Sequence, residues 1–154
     1  MNKNKLKWPD WLNLCKELSS EQKQFLEVIN SLNPEDREKE EMFGKWSAKD
    51  LLSHIAGWEN EVVKMFNLFL ANPDVDDEYN IDSFNKESVT LRKKTSWDEI
   101  VNELISAQQK LITFISSLSQ KDIDTETRFS EWTSVLINHY KHHTEQVKTV
   151  KNCD

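Results

Sequence analysis

Glycine and proline are scarce in this sequence, with two glycines and three prolines among 154 residues. The two residue types together average roughly 12% of a protein. Folds with many tight turns need residues that accept positive φ or fix φ at about −65°. The scarcity therefore disfavours β-sandwiches, hairpin-rich barrels and glycine-looped nucleotide folds. It favours a few long helices joined by few connections.

Positive charge is also in deficit, because 20 lysines and arginines face 27 aspartates and glutamates, a formal net charge of −7. Nucleic acid and anionic membranes both recruit basic patches, so neither is an expected partner. No apolar run approaches the roughly 20 residues that cross a bilayer. The N-terminal residues also lack the apolar segment of a secretory signal. We therefore expect a protein that acts on neither nucleic acid nor membranes.

The two cysteines, Cys15 and Cys153, are too few for a disulfide framework. This usage favours a reduced, cytoplasmic protein. Cys15 lies among leucines of the first helical stretch, so we expect a buried structural thiol rather than a nucleophile. The length fits a single domain over residues 1–154 that buries its own core.

Apolar residues at the helical period predict four long amphipathic helices. They span about Asp10 to Leu32, Ser47 to the Asn72–Pro73 stop, Ser96 to about Leu118, and about Ser130 to Val150. A short helix is predicted within residues 81–94, and residues 116–128 are predicted to be a connection. The economical architecture is all-α, a four-helix bundle in which the segment before Ser96 provides a crossover.

Two predicted helix starts share a specific pattern, a serine followed three positions later by an acidic residue. Ser47 with Asp50 and Ser96 with Glu99 both fit this capping-box pattern, in which each residue satisfies a free backbone N–H of the other. We therefore expect the second and third long helices to begin at these serines.

The histidines are the unusual feature, because three of the four fall within five residues of the last helix. His139 and His143 are spaced i, i+4, and their wheel positions place them in the middle of the apolar stripe. His142 lies at the stripe's edge, where a solvated rim residue is expected. His54 lies on the flank of the buried stripe of the second helix, near Trp58.

Packing of these two helices would bring His54 opposite His139 and His143. Three imidazoles with open positions for water or substrate are typical of a catalytic metal site. The alternative is that these are core histidines, each hydrogen-bonded to a polar partner.

Several residues near the histidines are candidates for a supporting role at such a site, and each of them could instead be an ordinary surface or core residue. Glu61 and Glu145 could orient the imidazoles, or simply face solvent. We expect packing roles for Trp58 and Tyr140, and we expect the Tyr140 hydroxyl to lie near the edge of the site. Gly57 indicates either a close helix approach or space beside a metal pocket.

Two histidine-bearing segments together resemble a known family. WSAKDLLSHIAGWE (residues 46–59) is similar to the second-helix signature of the DinB-like superfamily, which includes DinB and YfiT-like proteins, and HYKHH (139–143) resembles its C-terminal HxxxH. YNIDSFN (79–85) is similar to a motif of the ClbS/DfsB four-helix bundle subgroup.

The resemblance implies an up-down-down-up four-helix bundle, often dimeric. It implies a divalent metal, nickel or zinc, held at His54, His139 and His143. Characterised relatives include S-transferases that use bacillithiol, mycothiol or glutathione, which implies a small-molecule substrate and a low-molecular-weight thiol as partners.

Three functions remain open from the sequence. The first is a metal-dependent enzyme that acts on small electrophiles by thiol transfer or by hydrolysis. The second is a metal-independent resistance protein that binds or hydrolyses a toxic small molecule, as the ClbS-like relatives do. The third is a non-enzymatic metal-binding bundle.

Overall fold

The computed structural model describes residues 6–152, and most of these residues are helical. The helices are α1 (Trp8–Asn30), α2 (Ala48–Ala71), α3 (Ile81–Leu91), α4 (Trp97–Ser116), α5 (Gln120–Thr125) and α6 (Arg128–Asn152), with a 3-10 turn at Pro34–Asp36. Within residues 6–152 the only β feature is an isolated bridge between Phe43 and Trp46. The all-α prediction is confirmed. Cys153 lies outside the described residues.

The boundaries of the long helices agree with the prediction to within a few residues. α1 begins earlier than expected, with Pro9 in its first turn, where the missing N–H of proline loses no helical bond. The expected connection after α4 contains α5, which the sequence analysis missed. This helix carries the same signal as the others, since Ser119 and Asp122 form a capping box.

The two predicted capping boxes are present. The Ser47 hydroxyl accepts from the Asp50 N–H at 3.1 Å, and the Asp50 carboxylate accepts from the Ser47 N–H at 3.1 Å. Ser96 and Glu99 make the same exchange at 3.2 Å in both directions. The cap at Ser47 fixes the start of α2 two turns before His54, and so fixes the direction in which that histidine points.

The helices pack chiefly in two pairs, α1 against α6 and α2 against α4, while α3 lies on α2. α2 and α6 touch each other over a much smaller area, which leaves a cleft between them. Among residues 6–152, no helix combines the length and apolar character needed to cross a bilayer. The core between the pairs contains fully buried side chains from all four long helices, including Leu18, Phe25, Phe66, Ile100 and Phe129.

One polar layer crosses this core, with one residue from each long helix: Gln22, Glu59, Gln108 and Tyr140. The Gln22 amide donates to the Glu59 carboxyl, and the Gln108 amide donates to the Tyr140 hydroxyl at 3.1 Å. Glu59 is fully buried, and burial raises its pKa to about 8, although the neighbouring Tyr140 and Gln22 side chains act to lower it. The core therefore favours a protonated Glu59. We call these four residues the Glu59 layer.

Tyr140 belongs to this layer, so the prediction of its hydroxyl near the edge of the histidine site is wrong. Its side chain is fully buried, and its ring packs edge-on against Phe25 at 5.6 Å between centroids. Burial, with the charge of Glu59 as a further cause, raises the pKa of its hydroxyl well above the ordinary value. Tyr140 therefore stays neutral and structural, which is the packing role that was expected.

Gly57 marks a close approach of α3 to α2. A Cβ built at this position would stand 2.6 Å from the Ser88 Cβ and would also overlap the Ser88 hydroxyl. Of the two explanations for Gly57, the close helix approach is therefore the one observed. The space beside the glycine is taken by Ser88 rather than by a pocket.

Replacing Gly57 with alanine should lower the free energy of unfolding. Overpacking typically costs about 1–3 kcal/mol, which outweighs the gain of about 1 kcal/mol in helix propensity. Urea denaturation of Gly57→Ala measures this loss. In a Ser88→Gly background the same alanine should cost less, because the obstructing side chain is gone. A Gly57→Ala protein more stable than the parent would contradict the close packing of α3 on α2.

Candidate metal centre

Three histidines from two helices meet at one end of the α2/α6 cleft. The Nε2 atom of His139 lies 2.8 Å from Nε2 of His54 and 3.0 Å from Nε2 of His143. The three ring nitrogens all lie within 4.8 Å of one another. His54 and His143 are buried, and His139 is half-buried toward the cleft. The expected meeting of His54 with the pair on the last helix is confirmed, and the cluster could hold a metal ion.

The histidines do not occupy the middle of the buried face of α6, and that prediction is wrong. The buried face is centred on Tyr140 and Thr144, which are 0% and 2% exposed. His139 and His143 stand on its flank, where the face meets the cleft. The reason is that α6 packs mainly against α1, whereas the side chains of His139 and His143 extend from its flank toward His54 on α2. The centre of the core-facing side of α6 is therefore occupied by other residues.

The donor chemistry of the cluster fits a divalent metal. A neutral imidazole nitrogen is either a donor or an acceptor, so one His139 atom cannot serve two neighbouring nitrogens equally well. The Nδ1 atom of His143 lies 2.7 Å from the Gln146 amide oxygen, which can only accept. Nδ1 therefore carries the proton, and the Nε2 lone pair of His143 points into the cluster, as metal ligation requires.

The charge state of the histidines also suits ligation. Burial lowers the pKa of His54 to about 4, and the neighbouring His143 lowers it further. Burial lowers the pKa of His139 to about 3, with the charges of the other three histidines as additional causes. The pKa of His143 is lowered by burial as well. All three are therefore neutral at pH 7, so a metal would displace no proton from them.

A tight hairpin before α2 covers His54. Phe43 and Trp46 exchange backbone hydrogen bonds at 2.8 and 3.0 Å, and Gly44 between them adopts a φ of 62°. This turn brings the Trp46 indole against the His54 ring, with 4.7 Å between centroids. No role was predicted for Trp46, because it reaches His54 through a hairpin that precedes α2 and has no helical period of its own.

The cluster opens into a cavity of about 780 Å³. We call it the histidine cleft. It is lined by Trp46, His54, Trp58, Val62, Asp77, Tyr79, Ile81, Asn85, Trp132, Val135, Leu136, Asn138, His139, His142 and His143. Its volume lies within the range of about 300–1,000 Å³ found for small-molecule sites.

The glutamates considered as orienting groups lie elsewhere. Glu61 accepts from the Tyr79 hydroxyl at 2.8 Å and pairs with Lys64. Glu145 is exposed and pairs with Lys148. Gln146, which does contact a histidine, was missed. Its position three residues after His143 places it on the same helix face, and this spacing was the available signal.

His142 and Trp58 lie where they were expected, whereas Cys15 is less buried than predicted. His142 is exposed at the rim of the cleft, with its ring 5.0 Å from that of His143. Trp58 forms part of the cleft wall. Cys15 is half-buried, and burial raises the pKa of its thiol to about 11, so it carries no thiolate at neutral pH.

Comparison with known proteins establishes the family. The family model of the DinB superfamily matches residues 6–147, nearly the whole chain. The chain belongs to the DinB superfamily. No significant match was found among curated proteins or among solved structures.

Proposed function

We propose that this protein is a divalent-metal-dependent enzyme that acts on small electrophiles. His54, His139 and His143 would hold the metal, nickel or zinc. The observation that carries the proposal is the convergence of three neutral imidazole Nε2 atoms in a cleft of substrate size. Membership of the DinB superfamily supports it.

His54, His139 and His143 would hold a divalent ion, which would lower the pKa of a bound thiol or water and so would supply a nucleophile at neutral pH. The side chains around it have separate tasks. Gln146 orients His143 through Nδ1, and Trp46 shields His54 from water. The cleft walls hold the electrophile beside the cluster. With a low-molecular-weight thiol such as bacillithiol or glutathione the outcome is S-transfer, and with water it is hydrolysis.

Metal analysis combined with turnover tests this function. Protein purified without a nickel column should contain about one equivalent of metal, as expected for a single three-histidine site. It should consume an alkyl halide in the presence of thiol or an activated ester in its absence, and a chelator should abolish the reaction until zinc or nickel is returned. Metal-free protein that binds neither ion, yet neutralises the electrophile, would instead indicate a metal-independent resistance protein. Metal binding without any turnover would indicate a metal-binding bundle.

Replacing Gln146 with leucine should weaken metal binding by about 10–100-fold, the usual cost of losing a group that orients a ligand histidine. The leucine cannot accept from Nδ1–H, so the ring loses its fixed tautomer and direction. Titration of chelator-treated protein with zinc against a competing dye gives the dissociation constant.

Gln146→Glu is the matched control, because its carboxylate still accepts from Nδ1–H and should keep the affinity within a few-fold of the parent or raise it. Equal affinities for the leucine and glutamate variants would show that the contact between Gln146 and His143 does not support the metal.

A further inference from the structure

One part of the lining of the histidine cleft is aromatic. The Trp58 and Tyr79 rings lie 5.3 Å apart, and Tyr79 lies 6.0 Å from Trp132, all between centroids. Phe84 backs Trp58 at 4.2 Å. Val62 and Leu136 add aliphatic surface to the lining. A ligand in the cleft therefore contacts aromatic and aliphatic side chains as well as the cluster.

The polar ends of two of these aromatic residues are already used inside the protein. The Trp58 Nε1–H donates to the Asn85 side-chain oxygen at 2.7 Å, and the Tyr79 hydroxyl donates to Glu61 at 2.8 Å. A buried indole or phenol normally presents this polar group to a partner. With this N–H and this O–H satisfied internally, Trp58 and Tyr79 offer a ligand apolar surface rather than hydrogen bonds.

The described side chains that line the cleft offer an anion no lysine or arginine. Of the described residues that line it, none is lysine or arginine, and Asp77 is the one carboxylate. Asp76 and Glu78 flank Asp77 in the same connection. A carboxylate or phosphate at the aromatic end of the electrophile, away from the metal site, would lose its hydration without gaining a lysine or arginine partner from the described lining, which is costly.

The aromatic wall is held in place by Arg128, at the start of α6. Its guanidinium donates to the Pro73 and Val75 carbonyls at 2.8 and 3.0 Å and stands 3.9 Å from Asp77. This ties the connection that carries Tyr79 to the bundle. The wall is therefore preformed, which reduces the ordering cost of binding.

From these observations, and resting on the proposed function, we infer that the electrophile carries a flat, uncharged aromatic group that binds against Trp58, Tyr79 and Trp132. Ile81 and Val135 lie at the mouth, 55% and 68% exposed, and extend the apolar surface outward. The reacting end of the molecule then faces the histidines, and its aromatic end faces the wall.

Two zinc-binding hydroxamic acids test the inference in the zinc-loaded protein. Benzohydroxamic and acetohydroxamic acid carry the same chelating group and differ by phenyl against methyl. Calorimetry should show benzohydroxamic acid binding at least about tenfold tighter, since burial of an aromatic side chain is worth more than tenfold in affinity. 4-Carboxybenzohydroxamic acid, with a charge on the ring, should lose that advantage.

Variants locate the effect in the cleft. Trp132→Ala should reduce the ratio between the two acids to a few-fold, whereas Trp8→Ala, on the half-exposed start of α1, should leave the ratio unchanged. Equal affinities in zinc-loaded parent protein, or tight binding of the carboxylated acid, would overturn the aromatic inference while leaving the metal function intact.

A metal-free titration keeps the two proposals separate. 1-Naphthol should bind chelator-treated protein, and 1-naphthoate should bind at least about tenfold more weakly, because the carboxylate finds no cation. Naphthol binding by a protein that takes up no zinc would leave the cleft preference standing and remove the metal-dependent function. Absence of naphthol binding would overturn the preference itself.

Discussion

Replacing His139 with alanine should reduce the zinc content of the purified protein from about one ion per chain to nearly none. The nitrogen of His139 lies within 3.0 Å of both other histidine nitrogens, so it is the central member of the cluster. Loss of an orienting neighbour costs about 10–100-fold in affinity, and loss of a ligand should cost at least about 100-fold. Elemental analysis and a competitive zinc titration measure the two quantities.

His54→Ala and His143→Ala should give the same loss, since each removes one of only three nitrogens. His142→Ala is the matched control, because its exposed ring sits at the rim on the same helix, next to His143 in the chain. It should retain full zinc content. Circular dichroism melting of each variant separates loss of metal from loss of fold. Undiminished zinc in all three cluster variants would refute the metal centre.

The second large effect is on stability, and it concerns Glu59. Because burial raises its pKa from 4.5 to about 8, the folded state binds a proton more tightly than the unfolded state does. The stabilisation is fully present below about pH 4.5 and is lost as the pH rises through 8. At about 1.4 kcal/mol per pKa unit, the change amounts to about 3–5 kcal/mol between pH 5 and 9.

Glu59→Gln should remove this part of the pH dependence. The glutamine is neutral at every pH and can still accept from the Gln22 amide. The variant should match the parent near pH 5 and exceed its free energy of unfolding at pH 9. Urea denaturation across this range checks it, with Glu145→Gln, an exposed change on α6, as the control that should track the parent. Parallel curves for parent and Glu59→Gln would show that Glu59 ionises freely in the fold.

What the sequence predicted correctly is mostly local. The capping boxes at Ser47 and Ser96 were predictable because serine and an acidic residue three positions later bond within one turn. The i, i+4 spacing of His139 and His143 likewise fixes their shared face whatever surrounds the helix. His54 joined the pair because it lies on the flank of the buried stripe of the second helix, so that packing of this helix near the last one brings the three imidazoles together.

What escaped prediction depends on which helices pack together. The true centre of the buried face of α6 is Tyr140, and finding it requires knowing that α6 packs on α1. Glu59 lay within a recognised motif, but its burial opposite Gln22 follows from the meeting of helices far apart in the chain. Trp46 reaches His54 through a hairpin that no helical periodicity can show.

Trp46, Trp58 and Trp132 line the histidine cleft, and they are half of the six tryptophans in the chain. Indole emission responds to the polarity and the quenchers around the ring. Half of the indole rings of this chain therefore stand where a bound ligand would change their emission. Intrinsic fluorescence can report occupancy of the cleft in unlabelled protein, and a screen of candidate electrophiles needs no assay for the reaction itself.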